Sequence, residues 1–371
     1  MYIFVYFGLY KLRTKCKNYL QESFNCLKKD LVVEVGARII FNLVYKRWSV
    51  ERAPIYRRSR QRKAHISYPH SGISSSNIMA SYKVAKTIPD DSKHLGDIEC
   101  VLCYGDKVYT GADDGVVKVW TQDLEPVTEI QAHQYMVYHL AVSNDGTVMY
   151  SCSNDGSIHS WKLPNLEEGP KLVAHNDAVR KMRVLPDGTL ASGDEIGMVC
   201  LWPNGGGNPR RLDFMGEEIW DLQIDGDLIY TARDRDLVVS QAPEKLKSVL
   251  TKATIPGRAP ICLVKNRVYF VSREGSNILV HADHTAEKKW EKLTEMKGHE
   301  MIINALRPSK TGAFLYSGGY DNSVRIWDLA THEAVIEVPL DSYVNCLCAG
   351  ADDNTLYAGG ANSLLVKIVK E

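Results

Sequence analysis

The sequence predicts an all-β protein, a seven-bladed β-propeller of four-stranded antiparallel blades preceded by an irregular N-terminal extension. Three observations carry that reading. One pattern recurs seven times along residues 81–371 at a nearly constant period. Within each copy apolar and polar residues alternate with period two, as in half-buried strands and not as in helices. Asp- and Gly-containing turns separate the alternating runs, as in tight antiparallel hairpins. Four short strands in ~40–45 residues is the size of a propeller blade, and one such unit cannot bury its apolar faces alone.

The pattern is an apolar run, a small residue, a turn with Asp or Gly, and an alternating run that ends in Trp. It occupies residues 108–120 with the turn Asp113, Asp114, Gly115 and the terminal Trp120. It returns at residues 150–161 with Asp155, Gly156 and Trp161, and at 190–202 with Gly197 and Trp202. The fourth clear copy is residues 316–328, with Asp321 and Trp327. Weaker copies span residues 230–241, 270–281 and 357–368, where Gln241, His281 and Ile368 stand in the Trp position. Successive equivalent positions are 41, 41, 39, 40, 46 and 41 residues apart, a regularity that chance does not supply. Each copy also has an inner strand in which a β-branched residue is followed three positions later by an apolar one. Val137 and Leu140, Val179 and Met182, Ile219 and Leu222, and Val344 and Leu347 are examples.

Charge separates the chain into two parts. Residues 1–78 carry 15 Lys and Arg against four acids, whereas the remaining 293 residues carry 30 against 41. The expected domains are therefore a basic, poorly ordered extension over 1–78 and a propeller over 79–371. Within the extension, Arg57, Arg58, Arg60, Arg62 and Lys63 have the composition of a nuclear-import or nucleic-acid patch. The plainer reading, a solvated basic linker, carries more weight, and nucleic acid is expected as a partner only through residues 46–63. The first ten residues are apolar but too short to span a bilayer, and residues 32–45 are interrupted by Glu34, Gly36, Arg38 and Asn42. No membrane association is expected. Nine cysteines without a dense framework point to a reducing, intracellular setting, cytoplasmic or nuclear.

The last copy stops at Glu371, just past its third strand, which would leave an open sheet edge. Residues 81–88 alternate suitably, with Tyr82, Val84 and Thr87 or Ile88 on the apolar side. They are expected to close the ring as the outer strand of the seventh blade.

These repeats resemble the WD-repeat, or β-transducin-repeat, family over residues 81–371, strongly in four of the seven copies. The resemblance implies a hydrogen-bond relay that joins a His before the blade, a Ser or Thr in its second strand, an Asp in the turn and the Trp of the third strand. The matching residues are His94, Thr110, Asp114 and Trp120 in blade 1, and His133, Ser151, Asp155 and Trp161 in blade 2. Blade 6 has His299, Ser317, Asp321 and Trp327. Blade 3 keeps His175, Ser192 and Trp202, but Ile196 occupies the place of the acid. Blades 4, 5 and 7 lack the relay, and looser packing is expected there.

The family also implies docking of partners on the narrow top face, around the central channel. Carried over position by position, the acidic residues of that face are Asp97, Glu99, Asp113, Glu195, Glu218, Asp234 and Glu274. The large apolar ones are Met136, Tyr138, Trp220, Ile302, Tyr320 and Tyr343, and Arg180 is the one fixed positive charge. Acids interleaved with aromatics favour a basic protein segment.

No catalytic constellation is expected. The Ser, His and Asp residues recur in several equivalent copies, which argues for structural use over a single nucleophilic site. No phosphate-binding loop or metalloprotease helix motif appears. Cys100, Cys103, Cys346 and Cys348 suggest a zinc site, but side chains three apart on a strand point to opposite faces, so core cysteines are the expectation. The sequence thus indicates a non-catalytic interaction scaffold in a multi-subunit complex, without metal, cofactor or small-molecule substrate. A substrate-recruiting subunit of a ubiquitin ligase is the alternative from the same family. It is weakened because Leu329, Ala330 and Thr331, with no basic residue, follow Trp327 and Asp328. Nucleic-acid binding through the basic arm is the other.

Overall fold

The computed structural model describes residues 81–212, 218–242 and 249–371. The basic extension, including the arginine run at 57–63, lies outside the described residues. The rest forms seven four-stranded antiparallel sheets, six of them built from consecutive strands. Blade 1 illustrates the plan, with strands Ile98–Tyr104, Lys107–Ala112, Val116–Thr121 and Pro126–Gln131 running from the inside out. The turn after its second strand needs Gly115, which has a φ of +75° and whose carbonyl accepts from the amides of Ala132 and His133. A Cβ there would collide with the carbonyl oxygen of His133.

The seventh sheet departs from sequence order. Its strands are Val344–Ala349, Thr355–Gly360, Leu364–Lys370 and, outermost, Tyr82–Thr87. Tyr82 pairs with Lys370 and Thr87 with Val366, and the ladder extends to a bond from the Glu371 amide to the Ser81 carbonyl. Tyr82 and Ile88 are buried, in the clusters that join blade 7 to blades 6 and 1. Val84 and Thr87 remain exposed, against the alternation expected from the sequence. A register shift between Val84 and Lys86 breaks the two-residue period, and an outermost strand has only the neighbouring blades to cover it.

The core is divided rather than central. Each of the seven junctions between adjacent blades holds its own apolar cluster. Trp120, Trp202 and Trp327 are among the largest fully buried side chains. Where Trp is absent, Ile368 and His281 are buried in its place, whereas Gln241 is only half-buried.

One irregularity governs what the ring presents at its top. In six of the seven inner strands the ladder skips near the upper end, between Ile98 and Cys100, Val137 and His139, Val179 and Lys181, Arg258 and Ile261, Ile303 and Ala305, and Val344 and Cys346. A bulge of this kind releases a residue from the two-sided alternation and re-aims its side chain. Glu99, Tyr138, Arg180, Asn304 and Asn345 are residues so released.

Candidate functional site

The relay histidines and hydroxyl residues are buried, and most members of each set hydrogen-bond one another. In blade 6 the indole N–H of Trp327 donates to the Ser317 hydroxyl at 2.8 Å. His299 contacts the same hydroxyl through Nε2 at 2.6 Å and the Asp321 carboxylate through Nδ1 at 2.7 Å. A carboxylate only accepts, so Nδ1 carries the proton, and in the neutral ring Nε2 accepts from Ser317. Blade 1 repeats this through Trp120, Thr110, His94 and Asp114, with heavy-atom distances of 2.9, 2.8 and 3.1 Å. In blade 2 Trp161 and His133 meet on Ser151, but Asp155 stands 3.5 Å from the ring and Ser157 lies nearer. Burial pushes the Asp155 carboxyl up, yet the hydrogen bonds from His133 and Ser157 prevail and bring it to about 2.

Blade 3 has an acid after all. Asp194, fully buried, bonds His175 Nδ1 at 2.8 Å, while His175 Nε2 and Trp202 meet on Ser192. Its other oxygen accepts from the amides of Ile196 and Met198. The acid comes from the end of the second strand, two residues after the serine instead of four, so a search at the usual spacing finds only Ile196, which is exposed. Blade 4 keeps a hydroxyl at the same place, Thr231, fully buried and with no partner among the described residues.

The top-face residues fall into two groups. Around blades 2 to 5 the aromatics are covered by arginine. The Arg180 guanidinium lies 4.3 Å over the Tyr138 ring, and both it and Arg258 stand 5.9 Å from the Trp220 ring. Arg180 is therefore not the one positive charge of the face; Arg258 reaches it from the blade-5 inner strand. Arg180 pairs with Glu195 and approaches Glu218, while Arg258 stands 3.7 Å from Asp234. Tyr138 is buried, and Met136 packs against the cluster between blades 2 and 3. These residues are largely spent on one another. Glu274 is exposed nearby.

The second group, at blades 6, 7 and 1, is different. Tyr320 and Tyr343 lie with ring centroids 4.9 Å apart, and Tyr320 is 42% exposed. The Tyr343 hydroxyl donates to Asp97 at 2.8 Å, and Asn345 donates to Glu99 at 3.2 Å. Ile302 is half-buried beside them and its carbonyl accepts from the Tyr320 amide. Asp97, Glu99 and Asp113 form no ion pair among the described residues. Burial, then Asp113 and Asp97, push Glu99 up to about 8. Burial, then Asp97, push Asp113 to about 6. Three carboxyls thus crowd one another beside an aromatic pair, and Arg180 and Lys181 offset that crowding only in part at Glu99.

The cysteines considered for zinc separate. Cys100 points toward blade 2, against the carbonyls of Gly111 and Val137, while Cys103 meets Cys348, whose sulfur accepts from the Cys103 amide. Cys346 lies against the Ile98 carbonyl. Burial raises the Cys100 thiol to about 12. Among the described residues no three His, Cys, Asp or Glu side chains converge as metal ligands. Asp328 serves its own turn, accepting from the amides of Ala330 and Thr331.

The fold is that of the WD-repeat β-propellers, and the repeated relay resembles theirs. The family model "WD domain, G-beta repeat" matches residues 124–162 and 290–328. Among curated proteins the chain is similar to human Striatin-4, 25% identical over 272 residues that cover 62% of this chain and 35% of that protein. It is also similar to Striatin-3 of Bos taurus, 22% identical and covering 62% and 33%. The chain thus spans about a third of the length of these relatives. Among solved structures it resembles the WD40 β-propeller domain of Doa1, with a TM-score of 0.67 and 18% identity over 78% of this chain and 97% of that one. Among the described residues no helix is long and apolar enough to cross a membrane.

Proposed function

We propose that this protein is a non-catalytic scaffold whose top face captures a basic segment of a partner protein. The observation that carries the reading is the cluster at blades 6, 7 and 1. There Tyr320 and Tyr343 offer an aromatic wall, and Asp97, Glu99 and Asp113 stand beside it with no ion pair among the described residues. A Lys or Arg side chain laid along the tyrosines buries its aliphatic stem and brings its charge to the acids. The suppressed ionisation of Glu99 and Asp113 is relieved by the same event. The arginine-covered aromatics of blades 2 to 5 form a rigid, internally neutralised rim, so Trp220 is a weaker anchor than the sequence suggests.

Displayed random twelve-residue peptides selected on the full chain test this reading. The expected result is enrichment of Lys and Arg next to apolar positions. Truncating both Tyr320 and Tyr343 to Ala should weaken a selected peptide by 30-fold or more, from about 2 kcal/mol at one central aromatic anchor alone. The unfolding temperature of that variant should be close to the parent's, because Tyr320 is exposed and Tyr343 half-buried. Enrichment of acidic peptides, or undiminished binding by the double variant, would remove the proposal.

A further inference from the structure

Below the mouth, the channel wall carries a second charged cluster of opposite sign. Lys181 and Arg183 occupy alternate positions of the blade-3 inner strand, Val179–Val184, and so share its channel face. Arg307 lies on Ile303–Pro308, the inner strand of blade 6, across the ring. His139 comes from blade 2 and Asp221 from blade 4. All five line one cavity of about 40 Å³ together with Glu99, and with Cys100, Pro260, Ala305 and Cys346 among its other walls.

The charges in this cavity do not balance. Asp221, almost fully buried, bonds Arg183 at 3.0 Å, lies 3.8 Å from Lys181, and accepts the amides of Leu222 and Ile261. One carboxylate therefore answers two cations. Arg307 donates through Nε to the Leu347 carbonyl and has no carboxylate partner among the described residues. His139 is buried, and Arg183 donates to its Nε2 at 3.3 Å. That fixes the proton of the neutral ring on Nδ1, which has no acceptor. Burial, followed by Lys181, Arg183 and Arg307, keeps the His139 ring far below the ordinary histidine range, so it remains a neutral donor. Glu99 lines the same cavity, and burial, then Asp113 and Asp97, push it up to about 8, so it answers the cations only weakly at neutral pH. An uncompensated cation inside a ring is costly unless something accepts from it.

We infer that the channel holds one small tetrahedral oxyanion, of inorganic phosphate or sulfate size, received by Arg307, Lys181 and Arg183. The volume agrees. At ~10–15 Å³ for one water, the cavity has room for roughly three waters, the footprint of one such anion. The anion would tie blades 3 and 6 together across the channel, where no strand pairing connects them. Glu99 is shared with the basic-segment reading, but Arg307, Lys181 and Arg183 are not, so a failed peptide selection leaves the anion titration standing and the reverse.

Thermal unfolding and calorimetric titration of the full chain with inorganic phosphate, sulfate and chloride, at constant ionic strength, test it. Phosphate and sulfate should bind with a stoichiometry of one. At a hundredfold excess over Kd, worth about 2.7 kcal/mol, they should raise the unfolding temperature by about 5–11 °C. Chloride should do neither. Arg307→Met should abolish the response, and should Arg307→Met fail to fold, Arg307→Lys should weaken it at least threefold. Equal shifts with all three salts, or a response untouched by Arg307→Met or Arg307→Lys, would overturn the inference.

Discussion

Replacing Ser317 by Ala removes one oxygen and orphans two neighbours. Ser317 is fully buried, and its hydroxyl stands between the indole N–H of Trp327 and Nε2 of His299. Both rings are enclosed by the junction of blades 5 and 6, so neither atom can turn to water. Leaving a buried donor or acceptor unmet costs about 1–3 kcal/mol each, so Ser317→Ala should destabilise the ring by roughly 2–6 kcal/mol. At about 2–4 °C per kcal/mol for a large domain, the unfolding temperature should fall by roughly 4–24 °C. The control is the same position in blade 4, where Thr231 is equally buried but its hydroxyl meets nothing among the described residues. Thr231→Val keeps the shape and deletes an unmet polar atom, so its effect should be neutral or stabilising by about 1 kcal/mol. Thermal and urea unfolding of the two variants beside the parent make the comparison. If both shift the transition alike, the relay contributes nothing beyond the packing of its atoms, and the reasoning from hydrogen-bond satisfaction is wrong.

Removing residues 1–88 should cost far more stability than removing residues 1–78, because only the longer cut takes away Tyr82, Ile88 and the outer strand of blade 7. Differential scanning calorimetry should show a large loss, and the exposed edge should promote association visible by light scattering; equal transitions for the two truncations would contradict the closure. The rim should also respond to pH. Glu99 and Asp113 bind protons more tightly in the ring, at about 8 and about 6, than their ordinary values of 4.5 and 3.8. Their contribution to stability is therefore full below about pH 4 and lost as pH rises through those two values. A bound cation favours the ionised forms, so affinity for a histidine-free basic peptide should rise from pH 5.5 to 8.5. Fluorescence anisotropy should show the upper part of that rise flattened by Glu99→Gln, and a flat or falling profile in the parent would exclude these carboxyls from the contact.

Much of this protein is legible in its linear order because a propeller is built from local units. Each hairpin forms between neighbours in sequence, so alternation, Asp-Gly turns and a period near 41 residues already state seven antiparallel blades. The relay of blades 1, 2 and 6 is legible for the same reason, its members lying within one repeat at set spacings. Even the exchange of the last strand can be read from a short alternating segment ahead of the first repeat.

What depends on position in three dimensions could not be read that way. Asp194 acts in the relay because a strand end can reach His175 from a different spacing. Arg258 covers Trp220 because neighbouring inner strands converge at the rim, and bulges decide which side chain each strand sends there. The pairing of Tyr320 and Tyr343 with three carboxyls needs blades 6, 7 and 1 side by side, which follows only when the ring is closed. Arg307 and Lys181 are 126 positions apart in the chain and face one cavity for the same reason. Local pattern determines the blades; closure of the ring determines which of their charges must live together, because only then do water and distance no longer separate them.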